Sequence, residues 1–265
     1  MKKFWFILTA LVATCFLVAC SGSQGVSPKT IKEKKKIVVA TESEFAPFEF
    51  KSLVNGKDTL VGADIELAKA IGEKLGVKVE FSVMSFDNVL ANVQSGKADI
   101  AIAGISVTDE RKKVYDFSDS YYTSENVVIV KKDKVNDYTS TDSLAKQTVG
   151  TQKGSVQETV AKKQISKASV VSLTSNGEMI NELKSGQLQA VVLEKAIAEG
   201  YIAQNDDLTL ANFNLKSDGT DAYAVATRKG SDDLLNEINA VIKETKDSGK
   251  FDQWLKEAST YKQSK

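Results

Sequence analysis

The chain has 265 residues, 42% of them hydrophobic, with 35 basic and 35 acidic side chains in formal balance; this suits one large domain or two small ones and excludes the disordered and collagen-like classes. Balanced charge, with no arginine-rich stripe interleaved with aromatics, argues against a nucleic-acid partner. The lack of histidine removes the commonest metal ligand and the side chain that titrates nearest neutral pH, so no metal or cofactor is expected and proton transfer would fall to tuned carboxylates or lysines.

Lys2 and Lys3 precede an apolar run from Phe4 to Ala19, which ends in Leu17-Val18-Ala19-Cys20. About 16 apolar residues fall short of the roughly 20 that a bilayer core requires, so residues 1–19 read as a secretory signal peptide and not as a transmembrane helix. The Leu-Val-Ala-Cys stretch resembles the lipobox of bacterial lipoproteins. That resemblance implies cleavage before Cys20 and a diacylglycerol- and palmitate-bearing N-terminus that tethers the chain to a membrane. Cys15 leaves with the signal, so the mature chain keeps one cysteine and forms no intrachain disulfide. Residues 20–36, rich in Ser, Gly and Lys with Pro28 and no apolar periodicity, read as a flexible, lipid-anchored linker. Lys32, Lys34, Lys35 and Lys36 there either touch anionic head groups or are simply solvated.

The body alternates strand and helix. Residues 37–41 (Ile-Val-Val-Ala-Thr) predict a short buried strand, and 64–75 a helix with Ile65, Ala68, Ile71 and Leu75 on one face and Gly76 as its stop. A strand at 77–83, a helix at 87–94 and strands at 98–103 and 126–131 follow. A second set has strands at 148–151, 169–173 and 189–193 and helices at 156–164, 176–184 and 195–204. Such alternation implies α/β architecture, with mainly parallel sheets and flanking helices in two units. Val93-Gln94-Ser95-Gly96 before an apolar strand recurs as Leu183-Lys184-Ser185-Gly186 before another; a duplication or a shared helix-to-strand grammar accounts for it equally well. A strand at 222–228, an amphipathic helix at 232–246 carrying Leu235, Ile238, Val241 and Ile242, and a short helix with Phe251, Trp254 and Leu255 complete the chain.

In open α/β sheets, ligands sit beyond the carboxyl ends of the strands. Those ends carry Glu42, Phe45, Pro47 and Phe48; Gly104, Ser106, Thr108 and Arg111; Lys153, Gly154 and Ser155; and Glu194. Hydroxyls, glycine-exposed amides and an arginine suit a carboxylate, and carboxylates suit an ammonium, so together the ends describe a zwitterion. Each residue also admits a plainer reading. Phe45 and Phe48 would serve as core, and Ser106 or Thr108 as a helix cap. Arg111 could pair with Asp109, Glu110 or Asp116, and Glu194 could stabilise a helix dipole.

Thr41-Glu42-Ser43-Glu44-Phe45-Ala46-Pro47-Phe48-Glu49-Phe50, Gly62-Ala63-Asp64-Ile65-Glu66-Leu67-Ala68, Ser85-Phe86-Asp87 and Ala103-Gly104-Ile105-Ser106-Val107-Thr108-Asp109-Glu110-Arg111 resemble the polar amino-acid solute-binding proteins of ATP-binding-cassette (ABC) importers, extracellular solute-binding protein family 3. Asp116-Phe117-Ser118 and Tyr121-Tyr122 fit the same pattern. The resemblance runs from about residue 37 to 257 and implies a two-lobed type II clamshell. Lobe 1 would comprise 37–124 and 222–265 and lobe 2 125–221, with hinges near 123–127 and 215–222. It implies a monomeric, non-enzymatic lipoprotein on the extracellular side of a single-membrane bacterium, partnered by an L-amino acid, a permease and its ATPase.

Carried over by the same resemblance, Arg111 with amides near Ser106 and Ser155 would clamp the ligand carboxylate. Glu194, the Gly104 carbonyl and the Ser106 hydroxyl would hold the ammonium, Ala103 would also line the ligand site, and the side chain would lie between Phe45 and Phe86 and reach Glu42. Two departures bear on the pocket: Glu42 and Glu194 stand where Asp is usual, and Phe45 stands where several basic-amino-acid binders have Tyr. An acceptor-only carboxylate between flat walls favours arginine or lysine, then glutamine, and disfavours aspartate and glutamate. Lys153 would alter that order if it pointed inward at Glu42. The rival functions are an amino-acid sensor or adhesin, and an enzyme on the same fold.

Overall fold

The computed structural model describes residues 25–217 and 219–264; the expected signal peptide over 1–19 and Cys20 lie outside them. The first helix, α1 (Pro28–Lys34), starts at a Ser27–Thr30 capping box with Pro28 at the first position, a favoured N-terminal arrangement. Its one apolar residue, Ile31, is fully buried, and Val26 before it is 3% exposed. The Val26 amide donates to Ser231 Oγ at 2.7 Å, far along the chain. The tether reading is therefore corrected from Gly25 to Lys36, which dock on the body. A single buried isoleucine among lysines produces no periodicity, which is why the sequence pattern hid the helix.

Strand β1 (Lys36–Thr41) buries Ile37 and Val39. It is followed by an antiparallel meander, β2 (Glu44–Phe45), β3 (Glu49–Val54) and β4 (Lys57–Val61). The sequence reading passed over this meander although Asn55-Gly56, both at positive φ, is a strong two-residue hairpin signal. Helix α2 (Ala63–Leu75) buries the expected Ile65, Ala68, Ile71 and Leu75 and ends at Gly76 in the left-handed region. Next come β5 (Lys78–Val83), α3 (Phe86–Gln94), β6 (Ile100–Ala101), the short α4 (Asp109–Lys112) and β7 (Tyr115–Phe117). Strand β6 is only two residues long, and beyond it the chain turns at Gly104, whose φ is +53°.

The chain crosses to the second unit through β8 (Tyr122–Thr123) and β9 (Asn126–Lys131) and continues through β10 (Thr148–Gln152), α5 (Val156–Gln164), β11 (Ser169–Leu173), α6 (Asn176–Ser185), β12 (Ala190–Glu194), α7 (Lys195–Ala203) and β13 (Leu208–Leu210). It returns through β14 (Ala222–Tyr223) to β15 (Ala226–Arg228), α8 (Asp232–Asp247) and α9 (Lys250–Ala258). The single strand expected over 222–228 is thus two. Strand β14 pairs with β8 between the units, and β15 joins the first sheet between β6 and β7.

The two main sheets have orders β5-β1-β6-β15-β7 and β11-β10-β12-β9-β13. In each, only the strand that has just crossed from the other unit, β15 or β9, opposes the rest. The sheets are thus mainly parallel, and the Ser-Gly helix stops lead into the central strands β6 and β12. Helix α8 packs on α2 with Leu235, Ile238, Val241 and Ile242 buried, and α9 covers the end with Phe251 and Trp254. This is the two-lobed type II clamshell.

Candidate ligand-binding cleft

The carboxyl ends of β1, β6, β10 and β12 face one another across the lobes. Thr108 caps α4 by accepting the Arg111 amide at 3.1 Å, which projects the Arg111 side chain into the cleft and away from Asp109, Glu110 and Asp116. Its guanidinium donates to the Ser106 carbonyl at 2.7 Å and, across the lobes, to the Gly154 carbonyl at 3.1 Å. It lies 5.7 Å from the centre of the Phe86 ring, a cation–π distance. Burial pushes its pKa down to about 10, with Glu194 opposing, so it remains charged at neutral pH. Ser155 caps α5 by accepting the Glu158 amide, and its hydroxyl donates to the Gln152 carbonyl. A groove of about 730 Å³ opens beside the pair, lined by Thr108, Arg111, Gly154 and Ser155.

Glu194 immediately precedes α7 but makes no cap bond; its side chain is buried and accepts from Gln157 at 2.7 Å. Burial pushes its carboxyl up to about 7, while Gln157, Tyr223 and Arg111 oppose the shift. Ala103 and Ser106, which flank Gly104 and Ile105 in the sequence, are buried. A Cβ on Gly104 would stand 2.5 Å from the Phe45 ring, so glycine is what lets this turn and that ring meet.

Phe45 and Phe86 are 3% and 8% exposed, and Phe45 also packs on Phe48 at 5.8 Å, so Phe45 belongs to the core as well as to the turn. Glu42 is fully enclosed. Gln152 of the opposite lobe donates to Oε2 at 3.0 Å, and Oε1 has no hydrogen-bond partner. Burial raises its carboxyl to about 8; Gln152 opposes the rise, and Glu44 and Glu194 add to it. Lys153 points elsewhere, forming a 2.9 Å ion pair with Asp87 at the N-terminus of α3. A further interlobe contact joins Glu44 to Ser175 at 2.7 Å and to the Gly177 amide at 3.1 Å.

The arrangement is therefore one cation, Arg111, and two desolvated carboxyls, Glu42 and Glu194, between aromatic walls. Among the described residues no group of His, Cys, Asp and Glu is arranged to hold a metal ion. The sequence profile of the bacterial extracellular solute-binding proteins, family 3, matches residues 37–258. The chain belongs to that family. This family 3 solute-binding protein is 34% identical to the arginine-binding extracellular protein ArtP of Bacillus subtilis, with 97% of each chain covered. It is 31% identical to the ABC transporter glutamine-binding protein GlnH of the same organism, over 97% of this chain and 98% of that one. The crystal structure of AbpA from Streptococcus pneumoniae bound to L-arginine superposes with a TM-score of 0.86 at 50% identity, covering 89% of this chain and all of the other.

Sequence reasoning missed Gln152, Gln157, Asp87 and Tyr223 as members of the cleft wall. Gln152 and Gln157 each donate to a buried carboxyl of a residue more than thirty positions away. Their one legible signal was their place at the end of β10 and the start of α5.

Proposed function

We propose that this protein captures L-arginine outside the cell and delivers it to the permease of an ABC importer. Glu42 carries the reading: a carboxylate buried with one free oxygen is costly unless a cation meets it, and Lys153 is held away at Asp87. A guanidinium there, with the α-carboxylate on Arg111 and the α-ammonium on Glu194, Ser106 and the Ala103-Gly104 turn, would satisfy the three charged groups together. The arginine named for ArtP and for AbpA supports the same choice. In this reading Phe45 and Phe86 flank the aliphatic stem, the turns at Ser106 and Ser155 lie against the carboxylate, and the lobes are 37–124 with 222–265 and 125–221. They close about β8 and β14 because only the closed state meets the ligand from both sides. The protein works as a monomer tethered by lipid on Cys20, after removal of residues 1–19, and performs no chemistry on its ligand.

A thermal-shift screen of the globular body against the common amino acids tests the ligand. Arginine at about 100 times its dissociation constant should add about 2.7 kcal/mol. Larger stabilisation by glutamine, or by any acidic amino acid, would overturn the assignment.

A further inference from the structure

Asp64, at the start of α2, is fully buried, and its partners come from distant stretches of the chain. Its Oδ2 accepts the Gly104 amide at 3.1 Å and the Tyr121 hydroxyl at 2.7 Å. Glu49, also fully buried, lies against it. Neither oxygen of Glu49 nor Oδ1 of Asp64 meets an N–H or hydroxyl donor, so one proton shared between the carboxyls gives one oxygen of each a partner. Burial and the Asp64 charge hold Glu49 well above the usual carboxylate range. Two apolar residues would fill this space at lower cost, so the polar set calls for a function.

Gly104 supplies one. Its φ of +53° places it in the left-handed region, and its amide is its one anchor to Asp64. Neither the Ala103 nor the Gly104 carbonyl accepts a backbone hydrogen bond from the described residues, whereas the Ser106 carbonyl is already taken by Arg111. Fixing the N–H side of this turn fixes its carbonyls as acceptors. We propose that Asp64, held by Tyr121 and Glu49, is a positioning residue for the ammonium end of the cleft, acting through the Gly104 amide on the turn whose carbonyls receive the ligand's α-ammonium. This rests on the amino-acid reading above but assigns a residue that never touches the ligand.

The test compares arginine with 5-guanidinopentanoate, which keeps the carboxylate and guanidinium and lacks the α-ammonium. Both are titrated by calorimetry into wild type, Asp64→Ala, Asp64→Asn and Tyr121→Phe. Asp64→Ala should weaken arginine by about tenfold or more and the analogue by less than about threefold, a coupling within the range for interacting groups. Asp64→Asn keeps an acceptor oxygen for Gly104 and Tyr121 and can donate to Glu49, so it should restore arginine to within about threefold. Tyr121→Phe should lose about two- to fivefold, for arginine alone. Equal losses for both ligands, or no loss for arginine, would reduce Asp64 to a fold-holding residue and overturn the proposal. If Asp64→Ala does not fold, Tyr121→Phe decides by the same two criteria. Wild type binding the analogue as tightly as arginine would instead remove the ammonium reading of the cleft itself.

Discussion

Preference for a cationic side chain should depend on pH through Glu42. In the closed cleft the Glu42 carboxyl is raised from 4.5 to about 8, mainly by burial. Citrulline has the shape of arginine with an uncharged ureido end, so its complex leaves Glu42 protonated up to about pH 8, whereas a guanidinium holds it ionised. Between about pH 4.5 and 8 the arginine complex then carries one proton fewer, and the arginine-to-citrulline affinity ratio rises with pH by up to tenfold per unit. The sign follows from the raised pKa: the protonated carboxyl suits the neutral ligand below 8, and that advantage is lost as pH rises through 8. At about 1.4 kcal/mol per unit the whole shift amounts to about 5 kcal/mol, and from about pH 6 to about pH 8 the ratio should change roughly fifty-fold. Arg111 and Glu194 meet the same groups in both ligands and cancel. Competition calorimetry at the two pH values, on wild type and Glu42→Gln, reads the ratio. The variant should bind arginine at least about 30-fold more weakly, as expected for truncating a buried charge pair, and its ratio should be flat with pH. A wild-type ratio equal at both pH values, or a wild-type ratio retained in Glu42→Gln, would refute the reasoning.

Arg111→Ala should cost about 2–5 kcal/mol of arginine binding; affinity within about threefold of wild type by calorimetry would remove Arg111 from the clamp. Gly104→Ala forces a Cβ to 2.5 Å from Phe45 at a positive φ and should lower unfolding stability by about 1–3 kcal/mol, whereas an unchanged melting temperature would contradict that contact. Asp87→Asn and Lys153→Met should each speed arginine release by up to about fivefold, the double variant no further, because the 2.9 Å pair spans the lobes near solvent; additive effects in stopped flow would count against a shared latch. Cys20→Ser should release the protein into the medium with binding intact, and membrane retention of the processed variant would contradict a lipid anchor.

Helices with wide apolar faces were legible because burial imposes their period: α2 and α8 bury the residues that the spacing singled out. The strands before them were legible as apolar runs, and Arg111 as a guanidinium beyond the end of a strand. The sequence missed α1, whose docking depends on one isoleucine, and the β2–β4 meander, where lysines and acids interrupt the alternation. The direction of Lys153 was also undecidable, since Asp87 and Glu42 are both carboxylates and only the fold puts one of them 2.9 Å away. The sequence by itself determined the two-unit α/β plan and the charged groups at the strand ends, because both follow from local periodicity and residue chemistry. Only the tertiary structure decided which of those groups are desolvated together. Burial raises Glu42, Glu194 and Asp64, and burial is a property of the whole packed chain, set by neighbours that the sequence places tens of residues apart.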